Sequence, residues 1–206
     1  MPYDIAETFY SIQGEGEWAG SAAFFIRLAG CNLKCEFCDT DYSKKKEMDV
    51  DELVLESLMN PARRVIITGG EPTLQDLQPL VVKLQRTGFK VHLETNGILP
   101  IYMNWDWIAV SPKSPIKGLN RMTILSANEI KFLCGGPDWE KYIEEFAAEF
   151  RGYRISVKWI MPLAKAWPFQ HANGLLDHNI RQAADFCLKY PEFKLCLQQH
   201  KIAGVR

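Results

Sequence analysis

Short apolar segments alternate with amphipathic segments along most of the chain. Between the apolar segments, hydrophobic residues recur at spacings of three and four, which predicts helices around Leu77–Leu84, Trp139–Phe150 and Ile180–Cys187. A further helix is expected after Asp49 and Glu52, which form a capping-box pattern. The apolar segments themselves have the length and composition of strands, and they span Ala22–Leu28, Val65–Thr68, Lys90–Glu94, Trp107–Val110, Glu129–Leu133, Arg154–Ile160 and Phe193–Leu197. Strands that alternate with helices predict an α/β fold with a mainly parallel sheet.

The length of the chain limits which parallel α/β architecture it can form. A complete eightfold (β/α) barrel typically takes about 250 residues, and this chain has 206. We therefore expect one domain, residues 1–206, built as an incomplete and open (β/α) TIM-like barrel.

Charge and hydropathy exclude two classes of partner at this stage. The 24 Lys and Arg residues balance 25 Asp and Glu residues, so no overall charge favours nucleic acid. No apolar stretch reaches the ~18 residues of a membrane span, and the acidic start does not resemble a signal peptide. We therefore expect a cytoplasmic protein with no nucleic-acid or membrane partner.

Polar and glycine-rich segments follow five of the predicted strands. In parallel α/β sheets the carboxyl ends of the strands meet on one face, which carries the active site. The alternative is that some of these segments are ordinary turns, since they are rich in turn residues. They are Thr68–Pro72, Glu94–Gly97, Ser111–Lys113, Met161–Pro162 and Gln198–Lys201.

Three of the six cysteines fall within eight residues, directly after the first predicted strand. Cys31, Cys35 and Cys38 have the spacing C-x3-C-x2-C, and no fourth Cys or His lies nearby. Structural zinc takes four protein ligands, whereas three thiolates would leave one iron of a [4Fe–4S] cluster open for a small molecule. We therefore favour the cluster over zinc or unligated thiols. The remaining cysteines, Cys134, Cys187 and Cys196, are expected to pack as small apolar residues.

This cysteine spacing, with Phe37 before Cys38 and the later segment Thr68–Pro72 (TGGEP), resembles the radical S-adenosylmethionine (SAM) superfamily. The resemblance implies that the three cysteines hold a [4Fe–4S] cluster whose open iron binds SAM. It further implies SAM contacts from five positions, which are Phe37, Asp39, Gly70, Ser111 and Lys113. A lysine at position 113 is also compatible with a solvated loop.

A closer resemblance covers nearly the whole chain. The segments FYSIQGEG (9–16), RLAGCNL (27–33) and CDTD (38–41) are similar to the 7-carboxy-7-deazaguanine synthase family. This implies that Arg27 pairs with a substrate carboxylate, that Thr40 is a Mg²⁺ ligand and that Thr68 contacts substrate, together with the segment Ile12, Gln13 and Gly14. From the residues alone, Arg27 could instead form a surface salt bridge, segment 12–14 a plain turn, and Thr40 a loop or cap residue.

The family resemblance also implies a reaction and its partners. The expected reaction is the radical ring contraction of 6-carboxy-5,6,7,8-tetrahydropterin to 7-carboxy-7-deazaguanine and ammonia, in queuosine or deazapurine precursor biosynthesis. It implies a homodimer and a reducing partner such as flavodoxin or ferredoxin. An activase of a glycyl-radical enzyme shares the cysteine spacing and is the main alternative; an electron carrier or a zinc module is a second one. Two places depart from the family pattern: the apolar segment Met161–Ala164, and Arg206 at a position where the family's terminal residue can reach substrate.

Overall fold

The sheet has nine strands and two free edges. The structure is a computed structural model that describes residues 2–43, 45–113, 118–135, 138–151, 157–163 and 175–206. In chain order the strands are β1 (Tyr3–Ile12), β2 (Ala22–Leu28), β3 (Lys46–Met48), β4 (Arg64–Gly69), β5 (Lys90–Thr95), β6 (Trp107–Val110), β7 (Glu129–Cys134), β8 (Val157–Pro162) and β9 (Phe193–Leu195).

Within the described residues six helices accompany the strands, and two short 3-10 turns lie at Gly16–Trp18 and Pro72–Leu74. The capping box of the first helix forms as predicted: the Asp49 side chain accepts from Glu52 N at 2.9 Å, and Glu52 accepts from Asp49 N at 2.8 Å. The helices are α1 (Val50–Leu58), α2 (Gln78–Arg86), α3 (Arg121–Leu125), α4 (Trp139–Glu149), α5 (Leu175–Lys189) and α6 (Gln199–Ala203).

The strand order is β3-β1-β2-β4-β5-β6-β7-β8-β9, and β1 pairs antiparallel with both β2 and β3. From β2 to β9 every neighbouring pair is parallel. Since β3 and β9 lie at opposite edges, the sheet does not close. The predicted α/β fold with an open, mainly parallel sheet is confirmed.

Alternation along the strands divides the sheet into two faces. On β7, Ile130 and Phe132 are fully buried in the main core with the helices, whereas Glu129 and Lys131 project to the other face. Strand β5 behaves in the same way, with Leu93 in the core and Glu94 on the opposite face. One face of the sheet is therefore apolar under the helices, and the other carries charged groups into a concave space.

The sequence missed β1, β3, α3 and α6, and it placed some ends wrongly. Strand β1 is half-buried along most of its length on both faces, so it lacks the apolar run that marks the other strands. The last strand stops at Leu195 rather than Leu197 because the chain then turns into α6. The start of the predicted strand at 154–156 lies outside the described residues.

Candidate active site

A cleft of about 790 Å³ opens at the carboxyl ends of the strands, on the face away from the helices. It adjoins a smaller cavity that is lined by the three clustered cysteines. The predicted residues Ile12, Gln13, Gly14, Arg27 and Thr68 all line the cleft. The two cavities share residues from several strand ends and from the loop after β2, and these are Glu15, Asp39, Thr40, Gly69, Gly70, Asn96, Ser111, Lys113 and Gln198.

The cysteine loop, residues 31–43, begins where β2 ends. Cys31, Cys35 and Cys38 carry free thiols that are half-buried or exposed, and burial raises the pKa of Cys31 and of Cys35. Among the described residues, no three His, Cys, Asp or Glu side chains converge on one metal ion. Structural zinc takes four protein ligands, whereas thiolates are also the ligands that hold iron–sulfur clusters.

The glycine turn after β4 supports the cysteine loop directly. Gly70 N donates to Leu28 O at 3.3 Å, and Glu71 N donates to Gly30 O at 2.9 Å. A Cβ atom on Gly70 would lie 2.2 Å from Gly30 O and 2.7 Å from the Cβ of Cys31. Only glycine allows this close approach of the two backbones, which explains why the two motifs occur together.

The carboxylate of Glu71 holds the same turn in place through hydrogen bonds. Its fully buried carboxylate accepts from Thr73 N and Thr73 Oγ1, from Thr95 Oγ1 at 2.8 Å and from Asn96 N at 2.7 Å. The Asn96 side chain in turn donates to Asn32 Oδ1 at 2.8 Å. One carboxylate therefore joins the ends of β4 and β5, and through Asn96 it reaches the cysteine loop.

An acid–lysine network, formed by Glu15, Glu94 and Lys131, lies at the base of the cleft. Lys131 Nζ is 3.0 Å from Glu15 Oε2 and 2.6 Å from Glu94 Oε2, and the lysine side chain is only 4% exposed. Gln198 Nε2 donates to Glu15 Oε1 at 2.7 Å, and Gln13 Nε2 donates to Glu94 Oε1 at 2.9 Å. Four separate parts of the chain thus position two carboxylates around one cation.

The two carboxyl groups differ in acidity. Burial alone would raise the pKa of Glu15, but the Lys131 charge and the hydrogen bonds from Gln198 and Lys131 lower it to about 2. For Glu94, burial outweighs the attraction of Lys131 and raises the pKa, and the charge of Glu15 adds to this rise. Burial opposes the charge on Lys131, but the two carboxylates hold its pKa well above the ordinary value. Glu15 and Lys131 are therefore firmly ionised, whereas Glu94 is the group most ready to accept a proton.

Glu129 on β7 is a further buried carboxylate, and it lies next to this network. Glu129 Oε2 accepts from Trp159 Nε1 at 2.7 Å and from Glu17 N at 2.9 Å, and Glu129 Oε1 accepts from Trp107 Nε1 at 3.2 Å. A Cβ on Gly16, where φ is +70°, would lie 2.5 Å from the same carboxylate. The turn at Gly16–Trp18 thus packs closely against the Glu129 carboxylate on β7.

The Trp18 ring, in the same turn, lies against side chains of β4 and β5. The guanidinium carbon of Arg64 lies 4.1 Å from the Trp18 ring centre, and the His92 ring lies 5.6 Å from it. Burial, with the charge of Arg64, lowers the pKa of His92 to about 4. His92 is therefore neutral at physiological pH.

Arg27 does not face open solvent. Its Nε lies 2.8 Å from Glu7 Oε1, and its guanidinium carbon is 5.6 Å from the Phe9 ring centre. The salt bridge that the sequence left open as an alternative is thus present, but it lies inside the cleft, with only 20% of the Arg27 side chain exposed. Arg206 Nη2 pairs with the other oxygen of Glu7 and lies over the same ring.

The other predicted positions lie around the boundary of the two cavities. Lys113 Nζ is 2.6 Å from Ser111 Oγ and 3.0 Å from Ser111 O, so the lysine folds back on its own turn instead of extending into solvent. Asp39 accepts from Lys201 Nζ at 2.6 Å. Phe37 is 43% exposed at the mouth of the cysteine cavity, and Thr40 lines both cavities.

Comparison with known proteins decides the family. The Radical SAM superfamily model matches residues 25–162. Over the whole chain, 7-carboxy-7-deazaguanine synthase of Synechocystis sp. is 38% identical, with 95% of that protein covered. The synthase of the same name from Bacteroides thetaiotaomicron is 36% identical, with both chains fully covered. The chain belongs to the radical SAM superfamily, in the 7-carboxy-7-deazaguanine synthase family.

A solved structure agrees with this family membership. The crystal structure of QueE from Escherichia coli is 27% identical and has a TM-score of 0.81, covering 97% of this chain and 95% of that one. The match covers nearly the whole of both chains, and the predicted membership in this radical SAM family is confirmed.

Sequence reasoning missed several polar groups of this synthase-family site. Glu15 and Glu94 were noted only as parts of motifs, and Lys131 and Glu129 were assigned no role. The signal that could have found them is a pair of charges at alternate positions in an otherwise apolar strand, Glu129-Ile130-Lys131. Period-two alternation puts both charges on one face, and buried charges need partners.

The apolar departure after β8 lies in the cysteine cavity. Met161, Pro162 and Leu163 line it, and Leu163 N donates to Cys134 O at 2.8 Å. Ala164 lies outside the described residues. Backbone groups here remain in place for contacts, whereas the side chains offer an apolar wall. Cys134 and Cys196 are buried and Cys187 packs against the core, as predicted.

Proposed function

We propose that this chain is the radical SAM enzyme that converts 6-carboxy-5,6,7,8-tetrahydropterin into 7-carboxy-7-deazaguanine and ammonia. Family membership supports this activity, since the relatives carry the synthase name. The structural observation that carries it is one cleft, beside the cysteine loop, that is lined by the Arg27 guanidinium and by the acid–lysine network. The proposed substrate has the matching chemistry: a carboxylate on one ring and an N–H-rich edge on the other. An activase of a glycyl-radical enzyme is not favoured by these relatives.

The residues of the smaller cavity fit the cofactors of the family. Three free thiols line one cavity, which suits a [4Fe–4S] cluster held by Cys31, Cys35 and Cys38. SAM would lie against Gly70 and Ser111–Lys113, with Phe37 and Asp39 at its nucleoside end. Bound together, cluster and SAM supply a 5′-deoxyadenosyl radical that removes a hydrogen atom from the pterin. The protein's part is to hold the pterin in one orientation and to shield it from water.

Charge sets that orientation. Arg27 can offer its guanidinium fork to the substrate carboxylate. Glu15 and Glu94 are acceptors for ring N–H groups, and Gln13 and the backbone of Ile12 and Gly14 line the space between. Because a cation and two carboxylates line the same cleft, we expect a pterin that carries a carboxylate to bind in one direction.

Thr40 is the residue that we assign to Mg²⁺. It lines both cavities, next to the cleft where the substrate carboxylate is expected. Among the described residues no three His, Cys, Asp or Glu side chains come together to hold a metal ion. The ion would therefore take most of its oxygen ligands from substrate and water, as Mg²⁺ commonly does. The test is the metal dependence of turnover in wild type and in Thr40→Val, which keeps the shape and removes the oxygen; equal responses to Mg²⁺ would contradict the assignment.

We further propose a homodimer that receives electrons from a small redox protein in the cytoplasm. Support for a subunit contact is the exposure of apolar residues at the end of α1, where Leu55 is 62% exposed and Met59, directly after the helix, is 79% exposed. Support for electron entry is the exposure of Cys38 at the surface. All six cysteines are free, which fits a reducing compartment. No helix among the described residues has the length and apolar character to span a membrane.

The decisive experiment uses anaerobically reconstituted enzyme with SAM, Mg²⁺, a strong reductant and 6-carboxytetrahydropterin, followed by mass spectrometry of the products. We expect 7-carboxy-7-deazaguanine from the wild type and from Cys187→Ala, a control cysteine on α5. Cys35→Ala should give no product and should bind less iron. If the wild type formed only 5′-deoxyadenosine and methionine, the superfamily would stand and the proposed substrate would be refuted.

A further inference from the structure

A buried asparagine outside the cysteine loop holds the first part of that loop. Most residues of the loop are exposed, and Asn32 is one of them. Asn96, directly after β5, is only 7% exposed. Its Nδ2 donates to Asn32 Oδ1 at 2.8 Å, although the two residues are 64 positions apart in the chain. This hydrogen bond ties the residue that follows Cys31 to the interior of the sheet.

The Asn96 side chain has one orientation. Its own backbone N donates to Oε2 of the fully buried Glu71 at 2.7 Å, and Ile98 N donates to Asn96 Oδ1 at 3.0 Å. A backbone N–H can only donate, so the amide oxygen of Asn96 must face Ile98. The NH2 group is therefore directed at Asn32, and the Asn32 atom that meets it must be the acceptor Oδ1. Both amide groups are fixed in this way.

The sulfur of Cys31 lies within the same set of contacts. Leu33 N donates to Cys31 Sγ at 3.4 Å, and Cys31 Sγ lies 3.8 Å from Asn32 Oδ1. A metal-binding cysteine is a deprotonated thiolate, so the hydrogen bond from Leu33 becomes charge-assisted when a cluster is bound. The N–H of Leu33 belongs to the peptide that joins it to Asn32. Holding Asn32 therefore also holds the direction of this N–H group.

Asn96 complements the support that the glycine turn after β4 gives to the loop. Glu71 N donates to Gly30 O at 2.9 Å, directly before Cys31. The hydrogen bond from Asn96 acts on Asn32, directly after Cys31. The first of the three clustered cysteines is thus held on both sides by groups that lie outside the loop.

We infer that Asn96 is a positioning residue for the iron–sulfur cluster: through Asn32 it fixes Cys31 and the hydrogen bond from Leu33 N to the Cys31 sulfur. Groups that hold metal ligands in place contribute to metal affinity, and hydrogen bonds to cluster sulfurs influence the reduction potential. An N–H group favours the more negative, reduced cluster and so raises that potential. The inference rests on the proposed cluster ligands and does not depend on the proposed pterin.

The test removes the hydrogen bond from each side. The variants are Asn32→Ala, Asn96→Ala, the double variant and Asn32→Asp, which keeps an acceptor for Asn96. Asn60→Ala is the matched control: Asn60 Nδ2 donates to Glu56 O, also at 2.8 Å, and Asn60 lines neither cavity.

Three quantities are measured without any pterin. The first is the rate at which anaerobically reconstituted protein releases iron to a chelator. The second is the midpoint potential of the cluster, from a redox titration followed by electron paramagnetic resonance. The third is the Tm of the metal-free protein.

We expect iron release to be about three- to tenfold faster in each single variant, as for the loss of one hydrogen bond. The double variant should release iron no faster than the single variants, since all three lack the same bond. The potential of Asn32→Ala should become more negative by about 30–60 mV, which is the same factor at 59 mV per tenfold for a one-electron couple.

The controls separate cluster retention from general stability. Asn32→Asp should release iron within about twofold of wild type, and Asn60→Ala should behave as wild type. Metal-free Asn32→Ala should keep its Tm within about 2 °C, because Asn32 is exposed.

Wild-type iron release and potential in Asn32→Ala would overturn the inference, and this exposed variant tests the bond even if Asn96→Ala does not fold. Effects that multiply in the double variant would also overturn it, because Asn96 would then act by a route other than Asn32. A wild type that bound no iron would refute the cluster ligands and the inference with them. A wild type that held a cluster but formed no deazaguanine product would refute the proposed substrate alone.

Discussion

Lys131→Met removes the only cation of the acid–lysine network while keeping the length and apolar stem of the side chain. In the wild type, Lys131 is 4% exposed and bridges Glu15 and Glu94, which are 17% and 18% exposed. Removing one partner of a buried ion pair costs about 3–5 kcal/mol, because an uncompensated charge stays behind. The carboxylates line a cleft that water can enter, so we take the lower end, about 3 kcal/mol.

The size of the effect depends on pH. The lowered pKa of Glu15, about 2 in the folded protein, contributes stability that is complete above its ordinary pKa of 4.5 and is lost as the pH falls toward 2. Burial already raises the pKa of Glu94. Without Lys131, it would raise the pKa values of both Glu15 and Glu94, so their ionised forms would destabilise the folded protein. Below those raised values both groups are protonated and the penalty disappears. The loss in Lys131→Met should therefore be largest at pH 8 and smaller near pH 5.

The assay is thermal unfolding of anaerobic, cluster-loaded protein, followed by tryptophan fluorescence. For a chain of this size 1 kcal/mol corresponds to about 2–4 °C in Tm, so we expect a decrease of about 6–12 °C at pH 8. Lys45→Met is the control, since its pair with Asp4 is 62% and 41% exposed and should change Tm by no more than about 2 °C. A decrease in Lys131→Met as small as that of the control, or one equally large at pH 5 and pH 8, would refute the reasoning.

Three further changes test other parts of the site. His92 has a folded-state pKa of about 4 against an ordinary 6.5, so the wild type should lose about 3 kcal/mol of stability as the pH falls from 6.5 to 4. In His92→Gln the decrease of Tm over this pH range should be smaller; if it were as steep as in the wild type, another group would be responsible. Glu129→Gln leaves one of three N–H donors without an acceptor and should cost about 1–3 kcal/mol, with a changed near-UV tryptophan signal; an unaltered signal and Tm would contradict this. Gly70→Ala should lower the iron content after reconstitution, because its Cβ would meet Gly30 O at 2.2 Å. Gly118→Ala, where nothing lies within 4 Å, should bind iron as wild type, and equal iron in both variants would speak against the backbone support of the cysteine loop.

Most of the parallel strands could be predicted because each buries one face in the core. Val65 and Ile67 on β4, like Ile130 and Phe132 on β7, are fully buried, and such runs stand out in a sequence. Strand β1 gives no such run, since most of its residues are half-buried. Its place at the antiparallel side is set by the hairpin with β2. That pairing is a long-range property that local patterns do not reveal.

The parts of the site differ in the same way: groups of residues that are close in the sequence could be predicted, and groups that come together only in the fold could not. The cysteine loop could be predicted because its ligands lie within eight residues of one another. The acid–lysine network could not, since Lys131 lies 116 residues from Glu15 and 37 from Glu94. Parallel pairing from β5 through β6 to β7 brings Glu94 and Lys131 together, and Glu15 reaches them from the segment after β1. Arg27 is an intermediate case: the sequence offered a substrate contact or a salt bridge, and the structure shows the bridge to Glu7 inside the cleft.

Stability alone does not explain why the concave face carries these charges. Replacing a buried ion pair with apolar side chains of similar volume is often neutral or stabilising, and the opposite face of the same strands shows that apolar residues fit this sheet. On β7 the two choices occur at alternate positions, with Ile130 and Phe132 under the helices and Glu129 and Lys131 toward the cleft. On β7 the charged residues lie on the face that a ligand can reach. A charged position within an apolar strand therefore marks the functional face, and here it points to the same cleft as the cysteine loop.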